Sequence, residues 1–201
     1  MYKKRLIFVT APPGCGKTTL SQRLAKELEH VVYLDKDTLI PLSKKIFDIS
    51  GQPYDRSSEF FQKVIRDAEY DVIMDLAFEA LQYEDFVMVN APFTSEIRDR
   101  RYLNDLRDKL KKYDAALSVI WILTRPDVCR RRMFERNSDR DIWKINHWNE
   151  YVETVDFSIP YQARFDDDDM SLIIYQNNTY EETEQSFGIL MRKFRSISNN
   201  F

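Results

Sequence analysis

Three groups of side chains in this 201-residue chain carry chemistry at informative spacing. The first is Ala11-Pro12-Pro13-Gly14-Cys15-Gly16-Lys17-Thr18. A loop that turns several backbone N–H groups toward one phosphate needs residues without a hindering Cβ, and Gly14 and Gly16 supply that freedom. Lys17 would then reach the β- and γ-phosphates of a nucleotide, and the Thr18 hydroxyl would ligate Mg²⁺. Pro13, Gly14, Cys15, Gly16, Lys17, Thr18 and Thr19 are the expected contacts to the nucleotide, with Mg²⁺ beside it; whether ATP or GTP is taken stays open. Ala11 stands where the G-x-x-x-x-G-K-[ST] pattern usually has glycine, and its small side chain reads as a tolerated variant.

The second group is Asp35 and Asp37, inside Tyr33-Leu34-Asp35-Lys36-Asp37-Thr38-Leu39. In an extended segment both carboxylates point to one side. One can hold the metal through water while the other accepts a proton from a hydroxyl attacking the γ-phosphate. Alternatively, Asp37 caps a helix that starts near Thr38, and one residue can do both. The third group is Arg132, Arg136 and Arg140, which recur every four residues and share one face if helical. Arginine forks stabilise the charge that spreads over a transferring phosphoryl group, and a closing segment excludes water. An exposed basic helix end is the plainer alternative.

These groups need a scaffold, and the apolar runs provide one. Leu6–Val9, Val31–Leu34, Phe86–Val89, Leu117–Leu123 and Leu172–Tyr175 read as short buried strands. Helical spacing fills the gaps: Thr18–Glu29, Thr38–Ile49, Ser57–Gln82, Ser95–Lys112, Pro126–Glu135, Arg140–Phe157 and Thr179–Ser196. Asp71–Asp75 could pass for a strand, but Phe60, Phe61, Val64, Ile65, Ala68, Val72, Leu76 and Ala80 keep helical spacing across it, so helix is expected. Such alternation implies βαβ crossovers and a parallel sheet covered on both faces. In such a sheet ligands sit beyond the carboxyl ends of the strands, where the loop and Asp35 lie.

The APPGCGKTT loop, the LDKDTL segment and the arginine-rich stretch together resemble the small P-loop phosphotransferases, an ATP-binding AAA-type group. They include shikimate and gluconate kinases, chloramphenicol phosphotransferase, zeta-toxin-type kinases and the kinase domain of polynucleotide kinase. The resemblance spans roughly residues 4 to 155. It implies a P-loop NTPase fold, a three-layer α/β/α sandwich with a mostly parallel sheet of about five strands and a helical arginine-rich lid at about 125–145. It implies Asp37 as the base and Asp35 as the metal helper, with Lys17, Arg136 and Arg140 on the phosphates and Arg132 on the base side. Asn90 ends the third strand where many P-loop proteins have aspartate, which shifts metal duty toward Asp35 and counts against a water-activating hydrolase. The following Ala91-Pro92-Phe93 turn reads equally as part of an acceptor pocket or a plain strand exit.

Composition bounds the rest. Forty-three percent hydrophobic and 31% charged residues fit one globular domain over residues 1–201, and the net charge of −3 disfavours a broad nucleic-acid surface. Two cysteines, Cys15 and Cys129, are too few for a disulfide framework or a zinc site, and a cytoplasmic location is expected. The acidic run Asp166–Asp169 reads as a solvated loop rather than a cation site. Arg98–Arg101 and the charges after it read as an exposed helix face, with Arg98 or Arg101 available to an anionic acceptor. Trp143, His147, Trp148 and Tyr151 form an aromatic stripe that reads as core, the alternative being a cover over a substrate ring. The expected activity is transfer of the ATP γ-phosphate to a hydroxyl of a small molecule. A polynucleotide 5′-hydroxyl and a non-catalytic nucleotide-binding module are the alternatives, with no membrane association and the oligomeric state open.

Overall fold

The apolar runs form five strands, β1 (Lys4–Thr10), β2 (Val31–Asp35), β3 (Phe86–Asn90), β4 (Ala115–Leu123) and β5 (Leu172–Gln176). The structure is a computed structural model describing residues 4–198, except the side chains of residues 139, 140 and 198. All five strands pair in parallel, in the order β2-β3-β1-β4-β5. Parallel sheets need both faces covered, which is why β1, β3 and β4 are apolar almost throughout. Strand alternation divides the core in two. Ile7 and Val9 face α1 (Lys17–Glu27), α5 (Pro126–Arg136), α7 (Trp148–Thr154) and α8 (Tyr180–Ser198), through Leu24, Cys129, Tyr151 and Phe194. Leu6 and Phe8 face α3 (Arg66–Ala80) and α4 (Arg100–Lys111), through Ile73, Phe78, Leu103 and Leu110. The chain therefore has the expected three-layer α/β/α architecture of a P-loop NTPase.

Several helices depart from the predicted spans for local reasons. The stretch expected as Thr38–Ile49 starts with a 3₁₀ turn at Lys36–Leu39, and α2 (Ile40–Ile49) begins where Pro41 needs no hydrogen-bond acceptor. Within the predicted Ser57–Gln82 helix, Phe61–Ile65 is π-helical. The extra residue of a π turn changes which positions face inward. Phe61, Ile65, Ile73 and Ala77 are buried, whereas Val64, Val72 and Leu76 are exposed, although their spacing placed them in the core. The predicted Ser95–Lys112 helix divides at Asp99, whose carboxylate caps α4 by accepting from the N–H groups of Arg101 and Tyr102. The predicted Arg140–Phe157 helix breaks at His147 into α6 (Asp139–Asn146) and α7. The aromatic stripe breaks with it: Tyr151 is core, while Trp143 is half exposed and stacks on His147 with ring centroids 5.0 Å apart.

Charges expected on the surface fasten distant segments instead. Arg5, on the central strand and 2% exposed, donates to Ser118 Oγ at 3.0 Å and to both oxygens of Asp168 at 2.8 and 3.1 Å. Asp167 accepts from Arg107 at 2.7 and 2.9 Å at the surface; Asp166, Asp167 and Asp169 are exposed as expected of a solvated loop, and Asp168 alone turns inward. Arg100 and Arg107 lie over the Phe165 ring at 3.7 and 3.8 Å, and Arg100 donates to the Gln162 and Arg164 carbonyls. The face of α4 thus holds the 162–167 segment. Among the described residues no group of three or more His, Cys, Asp or Glu could hold a metal, and no helix is long and apolar enough to cross a membrane.

Removing one partner of a buried pair strands the other charge. Asp168→Ala is expected to lower unfolding stability by about 3 kcal/mol or more, measured by chemical denaturation. A loss below about 1 kcal/mol, typical of an exposed pair, would show that Arg5 finds water when Asp168 is gone.

Candidate active site

The phosphate loop joins β1 to α1 at the switch point of the sheet, where the connections on either side of β1 run in opposite directions. Gly14 (φ 83°) and Gly16 (φ 96°) are left-handed, and neither has room for a side chain. A Cβ on Gly14 would lie 2.9 Å from the Cys129 carbonyl oxygen, and one on Gly16 would lie 2.6 Å from Asn177 Nδ2. Ala11 is buried and is not among the positive-φ residues, so alanine fits there without strain. The back of the loop is held from outside, since the Cys15 carbonyl accepts from Asn177 Nδ2 at 2.7 Å and Thr124 Oγ1 at 3.4 Å. Lys17 Nζ donates to the Ala11 and Pro12 carbonyls at 2.8 and 3.3 Å, folded along the rim of the cradle. No side chain caps α1, so its first N–H groups face the cradle, the arrangement that suits a phosphate.

The carboxylates arrive from the neighbouring strand ends. In the parallel register Asp35 pairs with Asn90, and Asn90 with Val9, so β2, β3 and β1 end side by side. Asn90 Nδ2 lies 2.9 Å from Asp35 Oδ2, 3.2 Å from Thr18 Oγ1 and 3.3 Å from Tyr33 Oη. Tyr33 also donates to Asp35 Oδ2 at 2.8 Å, and burial followed by this bond to a carboxylate raises the Tyr33 pKa well above the ordinary phenol value. Asn90 Oδ1 is buried without a hydrogen-bond partner among the described residues. Thr18 and Asp35 present hard oxygen donors on either side of the Asn90 amide, and such donors fit Mg²⁺.

Asp35 and Asp37 do not lie along one extended segment. Asp35 ends β2 and caps the 3₁₀ turn, with Oδ1 accepting from the Asp37 N–H at 2.9 Å, while Asp37 lies in the turn itself, exposed. The capping role weighed for Asp37 therefore belongs to Asp35. Between them, Lys36 turns inward to Glu69, a buried carboxylate that also receives both Nη atoms of Arg56, at 2.8 and 2.7 Å, and the Ser43 hydroxyl. Burial pushes the Glu69 pKa up, but the donors from Arg56, Lys36 and Ser43 outweigh it and bring it down to about 2. Arg66 is held by Glu96 at 2.7 Å and Asp67 at 2.9 Å. Arg98 is held by Asp156 and the Ser158 carbonyl, which corrects its reading as a spare cation for an anionic acceptor. Phe93 is fully buried and stacks on Phe8 with centroids 4.0 Å apart, so the Ala-Pro-Phe turn anchors the core at the strand exit.

The arginine series does not continue along one face. Helix α5 ends at Arg136, Asn137 adopts a left-handed conformation (φ 45°), and α6 starts anew. Arg136 is drawn to the buried carboxylate of Asp141, with Nε at 2.9 Å and Nη2 also bonded. The Arg140 side chain lies outside the described residues. Arg132 remains at the loop: its Nη1 is buried without a hydrogen-bond partner among the described residues and lies 3.9 Å from the position a Gly16 Cβ would take. It borders a cleft of about 550 Å³ between Arg125 and Val128 at the start of α5 and Asn177, Asn178 and Thr179 after β5. Asn177 escaped notice in the sequence, although its place just beyond a strand's carboxyl end was a signal.

A central parallel strand leading into a glycine cradle, with a carboxylate at the end of the strand next but one, defines a P-loop nucleotide-binding protein. The chain matches the AAA_33 family of AAA domains over residues 6–156 and belongs to that family. It is 37% identical over 84 residues to the shikimate kinase of Vibrio vulnificus, covering 39% of this chain and 42% of that one. Over 64 residues it is 38% identical to the shikimate kinase of Aliivibrio fischeri, covering 29% and 37%. The chain thus spans less than half the length of these curated relatives. In fold it is similar to a candidate kinase from Chloroflexus aurantiacus J-10-fl, with a TM-score of 0.63, 21% identity and coverage of 96% and 98%. The shikimate kinase of Bacteroides thetaiotaomicron gives a TM-score of 0.51 at 16% identity, with coverage of 96% and 98%.

Gly16→Ala is expected to abolish nucleotide binding, because the new methyl collides with Asn177 and the φ is unfavourable; calorimetric titration with ATP reads it. Retained affinity would mean that the cradle lies elsewhere. Glu69 titrates lower in the fold than in the unfolded chain, so its stabilisation is complete above pH about 4.5 and is lost as pH falls toward about 2. Urea midpoints should decline across that window, and Glu69→Gln should flatten the decline.

Proposed function

We propose that the protein transfers the γ-phosphate of ATP to a hydroxyl of a small molecule. The observation that carries this reading is the meeting of Thr18 of the cradle with Asn90 and Asp35 at adjoining strand ends, Lys17 preceding Thr18 and Asp37 following Asp35 by two residues. In this reading the cradle N–H groups and Lys17 hold the β- and γ-phosphates, and Arg132 borders the cleft that takes the nucleotide base. Thr18 and Asp35 would hold Mg²⁺, which screens phosphate charge when bound. Asp37 accepts the proton of the acceptor hydroxyl as its oxygen attacks the γ-phosphorus and the bond to the bridging oxygen breaks, releasing ADP. Residues at about 125–145 act as the lid. Arg136 and Arg140 are its candidate phosphate contacts, Arg136 having first to leave Asp141. Positioning and charge stabilisation supply most of the rate, since in-line transfer asks little covalent chemistry of the protein.

A small acceptor is favoured over a polynucleotide by the charges near Asp37. Lys36 and Arg56 are committed to Glu69, Arg66 to Glu96, and Arg98 to Asp156. A polyanion calls for cations with spare valence, and these have carboxylates already. The shikimate kinase relatives agree with a small hydroxylated acceptor.

Asp37→Asn should bind ATP with unchanged affinity while acceptor-dependent ADP release, screened over a panel of polyhydroxylated metabolites, falls by about 10²–10⁴-fold. Wild-type protein that binds ATP yet phosphorylates nothing in the panel would favour a nucleotide-binding module over a kinase.

A further inference from the structure

Cys15 and Cys129, 114 residues apart, meet inside the molecule with Sγ atoms 3.2 Å apart, both free and both fully buried. Their positions matter more than their proximity. Cys15 lies inside the phosphate cradle between Gly14 and Gly16, and Cys129 lies on α5, the helix that carries Arg132 to the nucleotide cleft and leads into the lid. Gly14 rests directly on this helix: a Cβ there would be 2.9 Å from the Cys129 carbonyl oxygen and 3.0 Å from Met133 Cε. The cysteine environments are unequal. The hydrogen bond with Cys129, with Lys17 and Arg132 nearby, holds the Cys15 thiol below its ordinary pKa against the opposing effect of burial, while that bond and burial push Cys129 up. One sulfur is thus the readier nucleophile and the other a resolving thiol already in place.

We propose that Cys15 and Cys129 form a thiol oxidation site that takes hydroperoxide as its oxidant and closes nucleotide binding by joining the phosphate cradle to α5. The Cys15 thiolate attacks one peroxide oxygen, the O–O bond breaks, and hydroxide leaves and is protonated to water, giving a sulfenic acid. Cys129 gives up its proton and attacks the Cys15 sulfur, the S–O bond breaks, and a second water leaves. Two thiols are oxidised to one disulfide as one peroxide is reduced to two waters. Burial restricts the site to small oxidants and makes the reaction slow compared with an exposed thiol.

The bond is shorter than the present separation, since a disulfide holds its sulfurs at about 2.05 Å. Cys15 must therefore move about 1 Å toward α5. Gly14 follows it, and the only space there is the gap left by its missing Cβ against the Cys129 carbonyl, so the cradle twists. N–H groups that must converge on one phosphate then diverge, and displacements of this size cost orders of magnitude in binding or rate. The inference rests on the nucleotide reading of the cradle.

The test treats fully reduced protein with hydrogen peroxide, reads intact mass without reductant, maps cross-linked peptides, and measures ATP affinity before oxidation, after it, and after dithiothreitol. The expected product is about 2 Da lighter, with one peptide pair joining Cys15 to Cys129. ATP affinity should fall at least about tenfold and return on reduction, Mg·ATP should slow the oxidation, and Cys129→Ser should keep its ATP affinity under peroxide. Absence of the cross-linked peptide, or a cross-link with unchanged ATP affinity, overturns the proposal. Failure of the reduced protein to bind ATP overturns the nucleotide reading instead, and is told apart because the cross-link is read by mass alone.

Discussion

The site depends on one steric constraint: backbone at Gly14 and Gly16 so closely packed that no side chain fits. On one side the loop rests on Cys129 and Met133 of α5, and on the other Gly16 abuts the Asn177 amide after β5. Each contact joins residues more than a hundred positions apart. The cradle is therefore held in shape by the ends of β4 and β5 as much as by its own sequence. Asn177 illustrates the economy of the arrangement, for one amide both forbids a Cβ at Gly16 and bonds the Cys15 carbonyl. With that carbonyl occupied behind the loop, the N–H side is presented forward.

Two buried carboxylates and one half-buried one do comparable work away from the cradle. Asp168 fixes Arg5, Glu69 gathers Lys36, Arg56 and Ser43, and Asp141 draws in Arg136 and Lys144. A surface ion pair contributes little, whereas a carboxylate taken out of water must be fully provided with donors or it destabilises the fold. Each cluster joins elements that lie far apart or adjoin a break in a helix. Lys36, Arg56 and Arg136 are thereby committed to structure.

Much of this architecture was legible in the sequence because its signals are local. Five short apolar runs sufficed for five parallel strands, and the cradle was recognisable because glycine, lysine and threonine act within eight residues. What escaped was non-local or depended on an exact count. Apolar spacing from Phe60 to Ala80 announces a helix but not a π turn, and one extra residue turned Val64 and Leu76 outward. The four-residue arginine rhythm holds only while the helix continues, and Asn137 ends it. Asp35 and Asp37 were placed on one side by strand alternation, but the strand stops at Asp35. Asn177, Asp141, Glu69 and Cys129 looked unremarkable in sequence because their importance lies wholly in partners that the fold supplies.

The pairing of Arg5 with Asp168 also bears on how the chain is made. The two residues are separated by 163 positions. At ribosomal speeds of about 5–20 residues per second, Arg5 waits roughly 10–30 s for its carboxylate. The strand that carries it has the same difficulty, since β1 pairs only with β3 and β4 and has no neighbour until the chain has passed residue 86. Until β3 and β4 follow, β1 is an apolar strand ending in an unfinished phosphate loop, with both edges open. The amide that backs the loop arrives later still, 162 positions after the Cys15 carbonyl it bonds, so the cradle takes its final shape only once β5 is in place.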